Sequence, residues 1–197
     1  MLKSSDLNGK WQSQKSEPIE NQNGTVLYIR REASFSDDNW EIMIRTFLDE
    51  NCKHSLFNVR ATGTYNLDNE SKDVPGATCV DFHNTARYVT ANNEPIVEML
   101  NHATILSRGW ELEVEQDVSE NGCLLVPSVA DCPVEYDIIK KDENGLYFGD
   151  YTPDQEEELQ KLVGKNVSNS ETSHGTCSPN IRPKQLIKHP LVKINSN

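Results

Sequence analysis

Residues 25–35 read TVLYIRREASF, and this stretch decides the fold because its apolar and polar residues alternate. Leu27, Ile29, Ala33 and Phe35 share one parity, and polar or amphipathic residues occupy most positions between them. Successive side chains of a β-strand point to opposite faces of the sheet. The stretch therefore predicts a strand with one buried face, of the kind found in antiparallel sheets.

The same alternation continues on both sides of this strand. Residues 40–45 and 55–67 repeat it, and shorter strand patterns follow at 110–115, 134–140 and 146–149. Short clusters of turn residues separate the first of these runs, which favours hairpins over long crossovers. We therefore predict a mainly β fold, an antiparallel lipocalin-like β-barrel with meander topology, because a closed barrel leaves no unpaired edge strand.

One helix interrupts the strands near residues 94–107. Pro95 lies near the first helical position, where its missing N–H costs little, and apolar residues follow at spacings of three and four as one stripe: Ile96, Met99, Leu100, Ala103 and Leu106. We expect residues 1–163 to form the barrel domain with this helix. Residues 164–197 should form a flexible loop and an extended C-terminal tail that packs back on the barrel.

The composition restricts the partners. The 197 residues carry a net charge of −12, which argues against nucleic acid and anionic membrane surfaces. No apolar run approaches the roughly 18 residues of a membrane span. Residues 1–5 lack the apolar core of a signal peptide. The protein is therefore expected to be either cytosolic or secreted with its signal already removed.

Five cysteines, at positions 52, 79, 123, 132 and 177, are spread without a CxxC motif. Zinc ligands usually come as close pairs, so we predict no metal site. An oxidising compartment favours two disulfides and one free thiol. Cys123 and Cys132 bracket a short loop and are our first predicted pair, with five buried, reduced cysteines as the alternative.

The inner faces of the early strands are the candidate ligand site. A barrel of about eight strands can hold a small ligand as well as side chains. The predicted lining residues are Leu27, Ile29, Phe35, Trp40, Ile42, Ile44, Phe57, Val59 and Tyr65. The alternative is that these side chains simply fill the core.

Three polar residues are weak catalytic candidates. Asp81 and His83 share one face of a predicted strand and could orient an imidazole as a general base, or could form a surface ion pair. Asp150 could be a carboxylate at the barrel rim or a turn aspartate that accepts backbone N–H bonds. We see no phosphate loop, GxSxG elbow or cysteine–histidine signature, so we lean against an enzyme and predict no cofactor.

Several short motifs occur together in a characteristic order. The first, at residues 7–11, contains the Gly-x-Trp sequence with which lipocalins also begin. The others are the DENC turn at 49–52, the helix at 94–101, ENGC at 120–123, EYDIIK at 135–140, LYFGD at 146–150 and the Arg-Pro…Pro-Leu tail between residues 182 and 191. In this order they resemble the adenomatosis polyposis coli down-regulated family of extracellular Wnt inhibitors. One departure is Ala91, which stands where that family has a cysteine before the helix, so a helix-flanking disulfide is not expected.

The resemblance implies a function for the predicted barrel. The family is understood to bind lipids, including the acyl group carried by Wnt, in an apolar barrel pocket. We therefore expect a hydrophobic small molecule or acyl chain as the partner, in an extracellular or periplasmic compartment, with the cytoplasm as the alternative. The alternative functions are a barrel enzyme, an isomerase, cyclase or hydrolase acting on an apolar substrate, and an interaction module whose outer face binds a protein.

Overall fold

Antiparallel strands dominate the computed structural model, which describes residues 1–20, 24–103, 109–157, 177–178 and 181–194. The helices include α1 (Ser4–Leu7) and α2 (Glu94–Ala103), and residues 153–157 are helical as well. The strands are β1 (Gly9–Ser13), β2 (Glu17–Glu20), β3 (Val26–Ser36), β4 (Asn39–Phe47), β5 (Ser55–Glu70), β6 (Thr78–Ala91), β7 (Glu115–Asp117), β8 (Val134–Asp142), β9 (Gly145–Asp150), β10 (Gln185–Leu186) and β11 (Leu191–Ile194).

Eight of the strands close a ring. In order around the barrel they are β1, β3, β4, β5, β6, β8, β9 and β11, and β11 pairs with β1 to complete the circuit. Every pairing is antiparallel, and the ring follows chain order, as in a meander. The three remaining strands, β2, β7 and β10, pair with β3, β6 and β9. The predicted mainly β, lipocalin-like barrel is thus confirmed.

The helix α2 begins where the sequence places it. The Oδ1 atom of Asn93 accepts a hydrogen bond from the Ile96 backbone N–H at 3.0 Å, which satisfies one of the free amides of the first turn. Val97 and Leu100 are buried against the end of β6. The last part of the predicted helix, 104–108, and the predicted domain boundary at 163/164 lie outside the described residues, so the domain division stays a prediction.

Aromatic side chains fill one end of the barrel. The rings of Phe35 and Tyr65 meet edge to face with centroids 5.3 Å apart, and Phe82 packs beside Trp40 at 4.7 Å. The indole N–H of Trp11 donates to the carbonyl oxygen of Leu7 in α1 at 2.7 Å. This end, here called the aromatic plug, is therefore closed by side chains.

A second apolar cluster lies at the other end of β6. It joins Val89 of β6 to Leu100 of α2, and to Trp110 and Val118 of the segment that follows α2. Within the described residues, no helix is both long and apolar enough to cross a membrane.

Candidate functional site on the inner face of the barrel

The strand register places all nine predicted lining residues on one face of the sheet. Phe35 of β3 lies opposite Trp40 of β4, and Ile44 of β4 lies opposite Val59 of β5. Directly opposed residues of an antiparallel pair point to the same side. Because Phe35 and Trp40 belong to the core, this side is the inside of the barrel.

The nine residues fall into two groups. Phe35, Trp40 and Tyr65 are buried in the aromatic plug, so they fill the core. The other six keep part of their surface accessible although they occupy inward register positions: Leu27, Ile29, Ile42, Ile44, Phe57 and Val59. Beyond the plug, the inner face is therefore an apolar wall that is not fully covered by the protein. We call these six residues the apolar wall.

A buried ion pair interrupts the apolar inner face of β3. The Arg31 guanidinium contacts the Glu17 carboxylate through Nε at 3.1 Å and Nη2 at 2.8 Å, and each side chain is only 4 % exposed. The Ser13 hydroxyl also donates to Glu17, and Nη2 of Arg31 donates to the carbonyl of His189 at 2.7 Å. Every charge-bearing group of this pair thus has a close partner, as burial requires. Sequence reasoning missed it because Arg31 simply looked like a gap in the apolar alternation.

A second ion pair joins β6 to β8. Arg87 is buried and donates to the carboxylate of Glu135, and its Nη1 atom donates to the carbonyl of Pro127 at 3.1 Å. Burial is the main cause that lowers the pKa of Arg87, and Glu135 opposes it. The amide nitrogen of Asn84 also donates to Glu135, at 3.2 Å.

Asp137 is the carboxyl group with the most altered acidity. It occupies an inward register position opposite Val80, and its Oδ1 atom accepts the backbone N–H groups of Ile138 at 2.7 Å and Gly149 at 3.1 Å. Burial raises its pKa to about 7, against the lowering effect of these two hydrogen bonds. Burial also raises the pKa of the neighbouring Tyr151 phenol, and the charge of Asp137 adds to this effect.

The three catalytic candidates lie apart from this inner site. Asp81 and His83 alternate with the core residues Val80 and Phe82, so both point outward. Asp81 forms an ion pair with Arg182, and the His83 ring lies 3.0 Å from the amide nitrogen of Asn66. Each of the two thus has its own partner.

Asp150 is exposed near the end of β9. Its Oδ1 atom accepts the backbone N–H of Tyr151 at 3.0 Å, and Oδ2 accepts from the Gln185 side chain at 3.1 Å. These are the contacts of a turn aspartate. Across the described residues, no three His, Cys, Asp or Glu side chains form a group that could hold a metal ion.

The predicted disulfide between Cys123 and Cys132 is wrong. Cys132 is bonded to Cys177, with the two Cα atoms 5.3 Å apart, and the other three cysteines are free thiols. The backbone of Cys123 forms a tight bridge with Val126, and its side chain packs against the apolar cluster next to α2. Proximity along the chain was therefore a poor guide. The structure contains one disulfide instead of the expected two.

A closed eight-stranded antiparallel barrel with a plugged end and a partly accessible inner face defines a lipocalin-like barrel protein. The chain also matches the protein family described as Adenomatosis polyposis coli down-regulated 1, over residues 1–122. It belongs to that family, and the predicted resemblance is confirmed. The match spans the motifs at 7–11, 49–52 and 94–101 and ends at Gly122, within ENGC, so the motifs at 135–140 and 146–150 lie beyond it.

Proposed function

We propose that this protein binds a lipid or another hydrophobic small molecule against the apolar wall inside its barrel. One observation carries the proposal: six inward-facing apolar side chains remain half-buried, whereas the residues of the aromatic plug are covered. Apolar surface left in contact with water is a source of binding free energy, at about 0.8 kcal/mol for each methylene group that a ligand buries.

Two other features support this proposal. The aromatic plug closes one end of the barrel, so a ligand bound inside would contact the plug at that end. The disulfide between Cys132 and Cys177, together with the family, supports an extracellular location, because disulfides persist in oxidising compartments. The candidate residues for an enzyme lie on the outer face or in a turn, so no second function is proposed.

A pair of neighbouring substitutions on β4 tests the proposal. Ile44 points into the barrel and its neighbour Met43 points outward, and both are half-buried. Ile44→Glu replaces apolar contact surface on the apolar wall, opposite Arg31, with a carboxylate. It should weaken binding of a C16 lipid at least about tenfold, since the lipid chain would have to cover a charged group. Met43→Glu adds the same charge outside and should leave the affinity unchanged.

Displacement of a neutral fluorescent probe would give the affinities, and native mass spectrometry of the purified protein would give the stoichiometry. Circular dichroism spectra of the two variants would verify that both are folded. The proposal fails if the wild-type protein binds no C16 lipid, or if the two variants bind equally well.

A further inference from the structure

We infer that the inner site selects apolar ligands whose head group donates hydrogen bonds, a protonated amine or a hydroxyl, over ligands that end in a carboxylate. This inference rests on the proposed function and specifies the ligand class of the same site. It concerns the polar group formed by Asn84, Arg87 and Glu135 where β6 and β8 meet, here called the acceptor site.

The first observation is an unsatisfied acceptor on Asn84. This side chain is 7 % exposed, and its Oδ1 atom is buried without a hydrogen-bond partner among the residues that the structure describes. Its Nδ2 atom donates to the carbonyl of Cys132 and to Glu135, each at 3.2 Å. Both partners are acceptors, so the amide cannot be flipped to pair its oxygen. A buried acceptor without a donor is energetically unfavourable, and a hydrogen bond from a ligand N–H or O–H group would remove that cost.

The second observation concerns the carboxylate of Glu135, beside Asn84, of which only one oxygen accepts hydrogen bonds from described residues. The Oε1 atom of Glu135 accepts from both Arg87 and Asn84, whereas Oε2 makes no hydrogen bond to any residue within the described part of the chain. Glu135 lies opposite Phe82 in the register and therefore points inward, yet its side chain keeps 29 % of its surface accessible. Its free oxygen can thus accept a hydrogen bond from a group inside the barrel.

The charges of the inner face explain why a carboxylate head is disfavoured. Two inward guanidinium groups, Arg31 and Arg87, are each held by a protein carboxylate, Glu17 or Glu135. At the acceptor site, a ligand carboxylate would bring further acceptors beside Oδ1 of Asn84 and Oε2 of Glu135 and would add negative charge. The indole N–H of Trp40, which has no hydrogen-bond partner among the described residues, lies in the aromatic plug instead.

Three ligands with the same C16 chain test the inference: hexadecylamine, hexadecan-1-ol and palmitate. Affinities are measured by displacement of the neutral probe in 0.5 M NaCl. This salt concentration shortens the electrostatic screening distance to a few ångströms and so suppresses attraction of a cationic ligand to the acidic protein surface. Butylamine serves as the control for attraction by charge alone. We expect the amine and the alcohol to bind at least about tenfold more tightly than palmitate, equivalent to about 1.4 kcal/mol.

The substitution Glu135→Gln changes the free acceptor into a donor. Its Oε1 atom can still accept from Arg87 and Asn84, and the new amide N–H group then faces the ligand. Affinity for hexadecylamine should fall about tenfold, while affinity for palmitate should rise. The matched control is Glu32→Gln on the outer face, where Glu32 pairs with Arg45, and it should change none of the three affinities.

The inference is overturned if palmitate binds as tightly as the amine, or if Glu135→Gln shifts all three affinities equally. If that variant does not fold, the comparison of the three ligands on the wild-type protein decides alone. If none of the three ligands binds, the proposed function fails as well, so the two failures are distinguishable.

Discussion

At the scale of single residues, the inner face of the barrel differs from a simple apolar cup because it contains charged groups in close pairs. The pair of Arg31 and Glu17 is almost completely removed from solvent. Such pairs add little net stability compared with apolar residues of the same size. Removing one partner, however, leaves the other charge buried without a counter-charge. These residues are therefore sensitive to substitution.

The substitution Glu17→Gln should lower the free energy of unfolding by about 3–5 kcal/mol, because Arg31 loses its buried counter-charge. The surface pair of Arg45 and Glu32 provides the control, since both of its side chains are about a third or more exposed. Glu32→Gln should cost less than about 1 kcal/mol. Urea denaturation measures both values, and equal losses in the two variants would contradict the role of burial.

Asp137 should make stability depend on pH. Its pKa of about 7 in the folded protein lies above the value of about 3.9 expected in the unfolded chain. Ionisation therefore opposes folding: the favourable contribution of the neutral carboxyl is complete below about pH 4 and is lost as the pH rises to about 7. Asp137→Asn should remove this dependence, because its Oδ1 atom can accept the same two backbone N–H groups.

The measurement is the difference in unfolding free energy between Asp137→Asn and the wild type across this pH range. The difference should increase in favour of the variant by up to about 1.4 kcal/mol per pH unit between pH 4 and 7, and then level off. A difference that stays constant over the range would show that Asp137 titrates normally.

At the scale of elements, the disulfide connects two distant segments of the barrel. Cys132 lies two residues before the start of β8. Cys177 precedes the segment that supplies β10 and β11, which both pair with β9. The bond therefore holds the tail near the strands that it pairs with. Arg182 strengthens this attachment by donating to the carbonyl oxygens of Val80 and Asp137, on β6 and β8.

Replacing Cys177 by serine should destabilise the protein by about 4 kcal/mol. This is the stabilisation expected from a disulfide that closes a loop of 45 residues and so lowers the entropy of the unfolded chain. Cys52→Ser, which changes a free thiol in a turn, should have little effect. Thermal unfolding compares the two variants. Peptide mapping without reduction should find residues 132 and 177 in one linked species, and a link between residues 123 and 132 would contradict the structure.

At the scale of the whole molecule, period-two alternation was enough to predict the barrel and to place Ile44 and Val59 on its inner face. It could not predict Arg87, because a bulge shifts the register: Thr62 pairs with Ala86, whereas Gly63 pairs with Asn84. Because of the extra residue, Thr85, the side chains after it on β6 point to the face opposite to the one that simple alternation predicts. No local pattern in the sequence reveals such a bulge.

The ion pair and the disulfide could not be predicted from the sequence for a second reason. Arg87 and Glu135 are 48 positions apart, and Cys132 and Cys177 are 45 apart, so their contacts exist only after the ring has closed. A charged residue at an inward position also looks, in sequence, like the end of a strand pattern. The apolar wall could therefore be predicted from the sequence, whereas the acceptor site could not.

Ring closure also has a consequence for biosynthesis. Lys10 of β1 pairs with Ile194 of β11, so the pairing that closes the ring can form only after β11 has been synthesised. Until then, β1 and β9 each present an edge with free backbone groups, which is a surface prone to aggregation. The nascent chain thus carries an open barrel until β11 has been synthesised, and a chaperone or an early ligand would protect it during that interval.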